Sequence, residues 1–386
     1  MRIGILTGGG DVPGLNPCIK SVVRRAYEKG WRVTGFRRGW AGPLHVDPDA
    51  PGPPPARWVE ELTPDVVRVI DRAGGTHLHT SRTNPRILPE GDVPAFLRGK
   101  LPPGEKPGTV DATGHVGRVI ERLGLDCVVA IGGDGTLTFA RHLAEQGAPI
   151  VAIPKTMDND VWGTDYCIGF STAVSRSVEH INALRSTTGS HERICVVELF
   201  GRQSGETALI AGWLADVDRI VIAEAPCDPA RLAELLAQDR RGNPSNYAML
   251  VVSEGAQLVG GGLSETGAPD AYGRRRLGGV GERIGEEIER RTGIGVIVQR
   301  LAYLMRAGEP DSLDRMVAVS FGALAVQQIE RRNFGVMLAL KGGRYATIPL
   351  AEVGRHRKQV DVAELFDVEA YRPKIHQLMD KPMFLY

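Results

Sequence analysis

The stretch 128–136 reads Val-Val-Ala-Ile-Gly-Gly-Asp-Gly-Thr, and the stretch 153–160 reads Ile-Pro-Lys-Thr-Met-Asp-Asn-Asp. Each is a short apolar run that gives way to glycines or carboxylates. A buried parallel strand has this pattern where it ends at the carboxyl edge of a sheet, and open α/β folds bind their ligands at that edge. The two stretches therefore predict an α/β fold with a ligand site where these strands end.

The two loops carry groups that suit phosphate chemistry. Glycine has no Cβ, so its backbone N–H can approach a phosphate closely. Asp134 offers a carboxylate for a hard cation such as Mg²⁺. The second loop adds the carboxylates Asp158 and Asp160, the hydroxyl of Thr156 and the ammonium of Lys155. One helix joins the two strands, so a short crossover should bring together the groups that phosphoryl transfer requires.

The overall composition narrows the class of protein. A chain of 386 residues is long enough for two domains, each with its own core. The formal net charge of +1 gives no electrostatic reason to expect nucleic acid or membrane as a partner. The five cysteines are scattered singly, the chain opens on a strand-like segment rather than a signal peptide, and no apolar run could span a bilayer. We therefore expect a cytoplasmic protein.

Hydrophobic periodicity predicts alternating strands and helices along the chain. The predicted strands are 2–6, 31–36, 126–131, 149–153, 194–199, 219–223, 247–252 and 295–299. The predicted helices are 17–29, 63–73, 111–123, 136–146, 170–186, 204–214, 229–238, 281–292 and 312–331, with a hairpin at 335–349. Proline-rich segments at 41–56 and 85–107 predict surface loops, and the glycine-rich segment 256–279 predicts a mobile loop.

The glycine loop after the first strand, Gly8-Gly9-Gly10, could present a helix N-terminus to an anion. A dinucleotide-binding fold would place an acidic residue at the end of the second strand, where it binds the ribose. That strand ends in Arg37 and Arg38 instead. The sequence therefore argues against NAD binding.

In order and spacing, a set of short motifs resembles the phosphofructokinase family over nearly the whole chain. The motifs are Gly8-Gly9-Gly10-Asp11, Pro13-Gly14-Leu15-Asn16, Gly132-Gly133-Asp134-Gly135-Thr136, Pro154-Lys155-Thr156-Met157-Asp158-Asn159-Asp160, Gly163-Thr164-Asp165-Tyr166, Ser190-His191-Glu192-Arg193, Phe200-Gly201-Arg202 and Ser253-Glu254. The resemblance implies two Rossmann-like, three-layer α/β domains with mainly parallel sheets that face a cleft. It also implies a homodimer or homotetramer in which subunits share active sites.

The resemblance implies a donor-binding domain (ATP or pyrophosphate) formed by 1–168 and about 305–357, and a sugar-phosphate-binding domain formed by 169–304 and about 358–386. The implied reaction is a step of glycolysis. In it, a kinase transfers a phosphoryl group from ATP, with Mg²⁺, to the 1-hydroxyl of fructose 6-phosphate. Sedoheptulose 7-phosphate is a further conceivable acceptor.

Roles follow by resemblance for the matching positions. Asp158 would be the base that removes the proton of the sugar 1-hydroxyl, Asp134 would hold Mg²⁺, and Asp160 would support the base or the metal. Arg202 and Thr156 would stabilise the transferring phosphoryl group. The donor-binding residues would be Gly10, Arg82, Thr83, Gly133, Asp134, Gly135, Thr136 and Lys155. The sugar-phosphate-binding residues would be Thr156, Met157, Asp158, Arg193 (from a neighbouring subunit), Phe200, Gly201, Arg202, Glu254, Tyr303 and Arg306.

Two positions bear on the donor. Bacterial ATP-dependent members have glycine where this chain has Lys155, whereas pyrophosphate-dependent members have lysine there and usually aspartate in place of Gly135. A carboxylate at 135 would repel the α-phosphate of a nucleotide, and glycine leaves room for it. Lysine at 155 could neutralise pyrophosphate. Members from plants and trypanosomes with this same pair use ATP, so we expect ATP, with pyrophosphate as the alternative.

The chain also departs from the family pattern near Tyr303, which stands where bacterial ATP enzymes have histidine. Many members have a second arginine six residues earlier, and this chain has Ile297 there, with Arg300 as a nearby substitute.

Two rival functions are weaker. The Gly-Gly-Asp-Gly-Thr loop also occurs in NAD kinases and diacylglycerol kinases, but these lack the Pro-Lys-Thr-x-Asp-Asn-Asp loop. A non-catalytic sensor subunit should have lost Asp158 or Asp134, and both are present.

Overall fold

The computed structural model describes residues 1–260, 265–266 and 276–375, and the rest of the predicted mobile loop and the last residues of the predicted sugar-phosphate domain lie outside this part. The main strands are β1 (Arg2–Thr7), β2 (Arg32–Phe36), β3 (Val59–Leu62), β4 (Cys127–Gly132), β5 (Ile150–Pro154), β6 (Ile194–Leu199), β7 (Arg219–Val221), β8 (Ala248–Ser253), β9 (Val296–Arg300), β10 (Val336–Lys341) and β11 (Arg344–Pro349). The long helices are α1 (Leu15–Glu28), α2 (Thr113–Arg122), α3 (Asp134–Glu145), α4 (Phe170–Ser190), α5 (Glu206–Leu214), α6 (Pro229–Gly242), α7 (Val280–Thr292) and α8 (Ser312–Glu330).

The chain divides into two compact units, and each unit is assembled from separate segments. Unit 1 comprises Met1–Thr156, Val161–Gly169 and Ala307–Arg357. Unit 2 comprises Met157–Asp160, Phe170–Arg306 and Lys358–Tyr386. The predicted domains differ from these units mainly at residues 157–160, which the prediction assigned to the first domain. In the structure these four residues belong to unit 2.

Unit 1 is built on a seven-stranded sheet with the strand order β11-β10-β5-β4-β1-β2-β3. The five inner strands are parallel, and the two edge strands are antiparallel to their neighbours. Thr7 of β1 pairs with Ile131 of β4, and Ile131 pairs with Ile153 of β5. The loops that follow these three strands therefore begin at the same level of the sheet edge.

Unit 2 is built on a four-stranded sheet with the order β9-β6-β8-β7, in which all pairs are parallel. Its core consists of apolar side chains from these strands and from the helices that cover them, such as Leu236 and Ile284. Leu199 of β6 pairs with Ser253 of β8, so the segments after these two strands also start side by side.

Two predictions about irregular regions need correction. The predicted helix 63–73 is wrong: only a 3₁₀ turn, Ile70–Arg72, forms there, and an unpredicted edge strand, β3, precedes it. Val69 is 52% exposed, so the segment lacks the continuous apolar face that stabilises a surface helix. The predicted surface loop 41–56 begins with a buried one-turn helix, Ala41–Leu44, next to the buried Trp40.

The cysteines are all buried and unbridged. Burial raises the pKa of Cys195 to about 11. No helix within the described ranges combines the length and the apolar character that a bilayer crossing requires.

Candidate functional site

The glycine loops of unit 1 are held together by close packing around Thr136. A Cβ added to Gly8 would lie 2.4 Å from Thr136 Oγ1, and a Cβ added to Gly132 would lie 2.3 Å from Thr136 Cβ. The Gly8 N–H donates to the carbonyl of Ile131 at 2.9 Å. Both glycines are therefore required by packing.

The segment around Arg82 and Thr83 adjoins the first glycine loop. The Gly9 N–H donates to the carbonyl of Ser81 at 2.8 Å, and the Thr80 hydroxyl donates to the carbonyl of Gly9 at 2.6 Å. Ser81 Oγ lies 3.0 Å from Thr83 Oγ1. Arg82 is exposed, so its guanidinium is available to an anion bound beside the loop.

Lys155 is only 3% exposed, and its ammonium donates to the carbonyl of Gly10 at 2.5 Å. The backbone N–H of Lys155 donates to the carbonyl of Gly132 at 2.9 Å. The lysine therefore connects the loops after β1, β4 and β5. Gly135 differs from its neighbours because a Cβ there would meet no atom within 4 Å.

Asp134 is the first residue of α3, and Arg357 approaches it, with Nε 3.7 Å from Oδ2. No motif in the sequence drew attention to Arg357. Within the described ranges, no group of three or more His, Cys, Asp or Glu side chains could hold a metal. A cation at Asp134 would therefore take one carboxylate and the oxygens of a bound phosphate, which is how Mg²⁺ is commonly held.

In unit 2, the segment Met157–Asp160 is fixed from several sides. Asn159 is fully buried with a φ of 52°, and its side-chain amide donates to Glu206 Oε1 at 2.9 Å. The Thr207 hydroxyl donates to the carbonyl of Met157 at 2.8 Å. The segment that carries the predicted base Asp158 thus rests on the first turn of α5.

Glu206 is paired with Lys358, whose ammonium lies 3.1 Å from Glu206 Oε2, and both side chains are buried. Burial raises the pKa of Glu206 to about 7, while Lys358 and the amide of Asn159 oppose the rise. Sequence reasoning did not select either partner, because neither lies in a motif and the two are far apart in the chain.

The turns after β6 and β8 are joined through Gly201. The Ser253 hydroxyl donates to the carbonyl of Gly201 at 2.5 Å, and the Gly255 N–H donates to the same carbonyl at 3.2 Å. Gly201 has a φ of 140°, a backbone conformation that residues with a Cβ rarely adopt. The bonds bring the backbone at Arg202 and Glu254 together.

Phe200, Tyr303 and Arg306 form a cationic and aromatic cluster. The guanidinium of Arg306 lies 4.7 Å from the ring centroid of Tyr303 and 6.0 Å from that of Phe200. Tyr303 is 68% exposed, so the cluster faces outward from unit 2. A guanidinium in such a place suits the binding of a phosphate ester.

Two arginines lie apart from this cluster. Arg193 precedes β6, at the strand end opposite Phe200, and its side chain lies beside Gly295. The Nε of Arg300 lies 2.7 Å from the Glu282 carboxylate and 3.6 Å from that of Glu198. The structure therefore does not bring Arg193 to the other predicted sugar-phosphate residues of its own chain.

The phosphofructokinase family model matches residues 2–329. The chain belongs to the phosphofructokinase family. It is 38% identical to a pyrophosphate–fructose 6-phosphate 1-phosphotransferase from Amycolatopsis methanolica and 38% identical to ATP-dependent 6-phosphofructokinase 3 from Streptomyces coelicolor. Each alignment covers 373 residues, 96% of this chain and 99% of the relative. The relative named for pyrophosphate and the relative named for ATP are therefore equally similar to this chain.

Solved structures of phosphofructokinases share the fold of this family member. The pyrophosphate-dependent phosphofructokinase from Nitrosospira multiformis matches with a TM-score of 0.75 at 16% identity, and that from Marinobacter aquaeolei with 0.74 at 18%. Both matches cover 100% of this chain and 92% of the other. The predicted α/β class with mainly parallel sheets is confirmed.

The packing around Thr136 yields a prediction about stability. We expect Gly132→Ala to destabilise this phosphofructokinase by about 1–3 kcal/mol, because the new Cβ overpacks the loop. Gly135→Ala should be neutral or stabilising by up to about 1 kcal/mol, because its Cβ meets open space and alanine favours a helix. Thermal unfolding of the two variants measures the difference, and equal melting temperatures would contradict it.

The raised pKa of Glu206 implies that the stability of the protein depends on pH. Its raised pKa means that the folded chain binds this proton more tightly than the unfolded chain does. The contribution of Glu206 to stability is therefore complete below the ordinary pKa of about 4.3 and is lost as the pH rises through about 7. We expect the Tm of the native protein to fall relative to that of Glu206→Gln between about pH 5 and pH 8. A constant difference in Tm would refute this account.

Proposed function

We propose that this protein is a 6-phosphofructokinase that transfers a phosphoryl group from ATP to the 1-hydroxyl of fructose 6-phosphate. The proposal rests on the continuous segment 155–160. Lys155 belongs to unit 1, where its ammonium bonds Gly10, and Asp158 belongs to the segment of unit 2 that Glu206 holds through Asn159. Donor-binding and acceptor-activating groups are thus successive residues of one loop. The names of both classes of relative support the same acceptor.

In the proposed mechanism, Asp158 accepts the proton of the sugar 1-hydroxyl as that oxygen attacks the terminal phosphorus of the donor. Such a base needs to be ionised near pH 7 and small enough to stand in line, and a carboxylate meets both conditions. Thr156 and Arg202 would stabilise the charge on the transferring group, with Asp160 in support. Asp134 would hold Mg²⁺, which neutralises charge on the donor phosphates when it is bound.

The remaining roles divide between the two units. The donor phosphates would lie on Gly10, Gly133, Gly135 and Thr136, with Arg82, Thr83 and Lys155 beside them. The sugar phosphate would be bound by Arg306, next to the rings of Tyr303 and Phe200, with Met157, Gly201 and Glu254 at the sugar. Arg193 would serve a neighbouring subunit, because it lies at the far end of β6 from this cluster. A cytoplasmic homodimer or homotetramer follows from this proposal.

The donor depends on Gly135 and Lys155. The open space beside Gly135 leaves room for the α-phosphate of a nucleotide, which supports ATP. The buried ammonium of Lys155 against the Gly10 carbonyl supports the second candidate, a pyrophosphate-dependent transfer, because it places a fixed positive charge in the loop. We favour ATP, because the ammonium already has a partner within the protein.

The role of Asp158 is tested by Asp158→Asn. We expect kcat to fall by about 10²–10⁴-fold with little change in the KM of fructose 6-phosphate, because only the transition state needs the base. Steady-state kinetics measures both constants. Asp239→Asn is the control, because Asp239 pairs with Arg219 elsewhere in unit 2, and its kcat should be unchanged. Turnover that survives in Asp158→Asn would exclude this base.

The donor is tested by offering ATP and pyrophosphate separately with Mg²⁺ and fructose 6-phosphate. We expect fructose 1,6-bisphosphate with ATP, and we expect Gly135→Asp to lower kcat/KM for ATP by at least about tenfold through repulsion of the α-phosphate. Gly135→Ala is the matched control for steric effects. Activity with pyrophosphate alone would mean that Lys155 determines the choice of donor. The absence of product with either donor would refute the proposed function.

A further inference from the structure

A buried network lies directly behind the segment Met157–Asp160 and includes no residue to which a role in the reaction has been assigned. Glu206 is 3% exposed and Lys358 is 7% exposed. The Lys358 ammonium lies 3.1 Å from Glu206 Oε2 and 3.4 Å from Oε1. Because both charges are removed from water, each depends on the other for compensation.

The network holds three of the four residues of the segment. Glu206 accepts the side-chain N–H of Asn159 at 2.9 Å. The backbone N–H of Lys358 donates to the carbonyl of Asp160 at 3.2 Å. The hydroxyl of Thr207, which follows Glu206 in α5, donates to the carbonyl of Met157 at 2.8 Å. Asp158 lies between Met157 and Asn159 in this segment, so both of its chain neighbours are attached to α5.

The conformation of Asn159 explains why such attachments are needed. Its φ of 52° lies in the left-handed region, which costs free energy for any residue with a Cβ. A residue keeps such a conformation only when its surroundings determine it. Asn159 is fully buried, and the carboxylate of Glu206 accepts from its amide. The direction of the backbone on either side of Asp158 therefore depends on Glu206.

A second carboxylate secures the other side of the network. Glu224 accepts the N–H of Gly205 at 2.9 Å and the N–H of Val360 at 3.0 Å. These two donors lie next to Glu206 and two residues after Lys358, respectively. Glu224 therefore fixes the two backbone segments that carry the buried ion pair.

We propose that Glu206 and Lys358 are positioning residues for the reaction, and that they act by holding Asp158 in the orientation in which it accepts a proton. This inference rests on the proposed function, because it takes Asp158 as the base. Neither residue is expected to touch the substrate. Their loss should therefore lower kcat and leave the KM values nearly unchanged.

The main experiment uses Glu206→Gln and Lys358→Met, with Asp239→Asn as the matched control. Asp239 forms an ion pair with the buried Arg219 at 2.6 Å in the same unit, and it takes no part in the attachments to 157–160 described above. We expect kcat to fall about 10- to 100-fold in the first two variants, with KM within about threefold of the native value. Asp239→Asn should lose stability and keep its kcat. Equal losses of kcat in all three variants would reduce the network to a structural role.

A double-mutant cycle shows whether Glu206 acts through Asp158. In the Asp158→Asn background there is no base to position, so adding Glu206→Gln should change kcat by less than about twofold. An effect as large as in the native background would overturn the proposal. Lys358→Met in the same background repeats the test should Glu206→Gln fold poorly.

Amide hydrogen exchange provides a readout that does not require activity. We expect residues 156–161 to exchange faster in Glu206→Gln than in the native protein, and no such change in Asp239→Asn. A native protein without phosphofructokinase activity would refute the proposed function alone, and the exchange data would still decide whether Glu206 holds this segment. Unchanged exchange at 156–161 would refute the positioning role whatever the activity.

Discussion

The close packing of Thr136 against Gly8 and Gly132 is the constraint on which unit 1 depends. It brings the loops after β1 and β4 so near each other that neither glycine position has room for a side chain. The strand register places Thr7, Ile131 and Ile153 at one level, and Lys155 then joins all three loops through Gly10 and Gly132. The parallel sheet therefore brings the groups suited to phosphate to one edge.

The strand-end motifs could be predicted from the sequence because an apolar strand followed by glycines or carboxylates is a local signal. The core strands and the family were predicted on that basis and are confirmed. The helix at 63–73 was predicted wrongly, because its composition permits a helix but its apolar residues form no continuous buried face. Glu206, Lys358 and Arg357 were missed, because their significance arises only when distant segments meet.

The pair of Glu206 and Lys358 shows how a buried polar network can fix geometry without adding stability. Removing two charges from water costs several kcal/mol, and their attraction only partly offsets this. The raised pKa of Glu206 indicates that desolvation outweighs its favourable contacts. What the pair provides is a hydrogen bond with a defined direction, because the carboxylate in its fixed place accepts the side-chain N–H of Asn159. An apolar core of equal volume could not accept this N–H.

The discontinuity of unit 1 has a consequence for synthesis on the ribosome. Helix α1 packs against α8, where Ser21 donates to the carbonyl of Val319, and β5 pairs with β10. A nascent chain that has only reached residue 169 thus exposes one apolar helix face and one bare strand edge. Such surfaces invite aggregation. Unit 1 therefore completes its core only after the whole segment 170–306 has emerged, because α8 and β10 follow that segment in the chain.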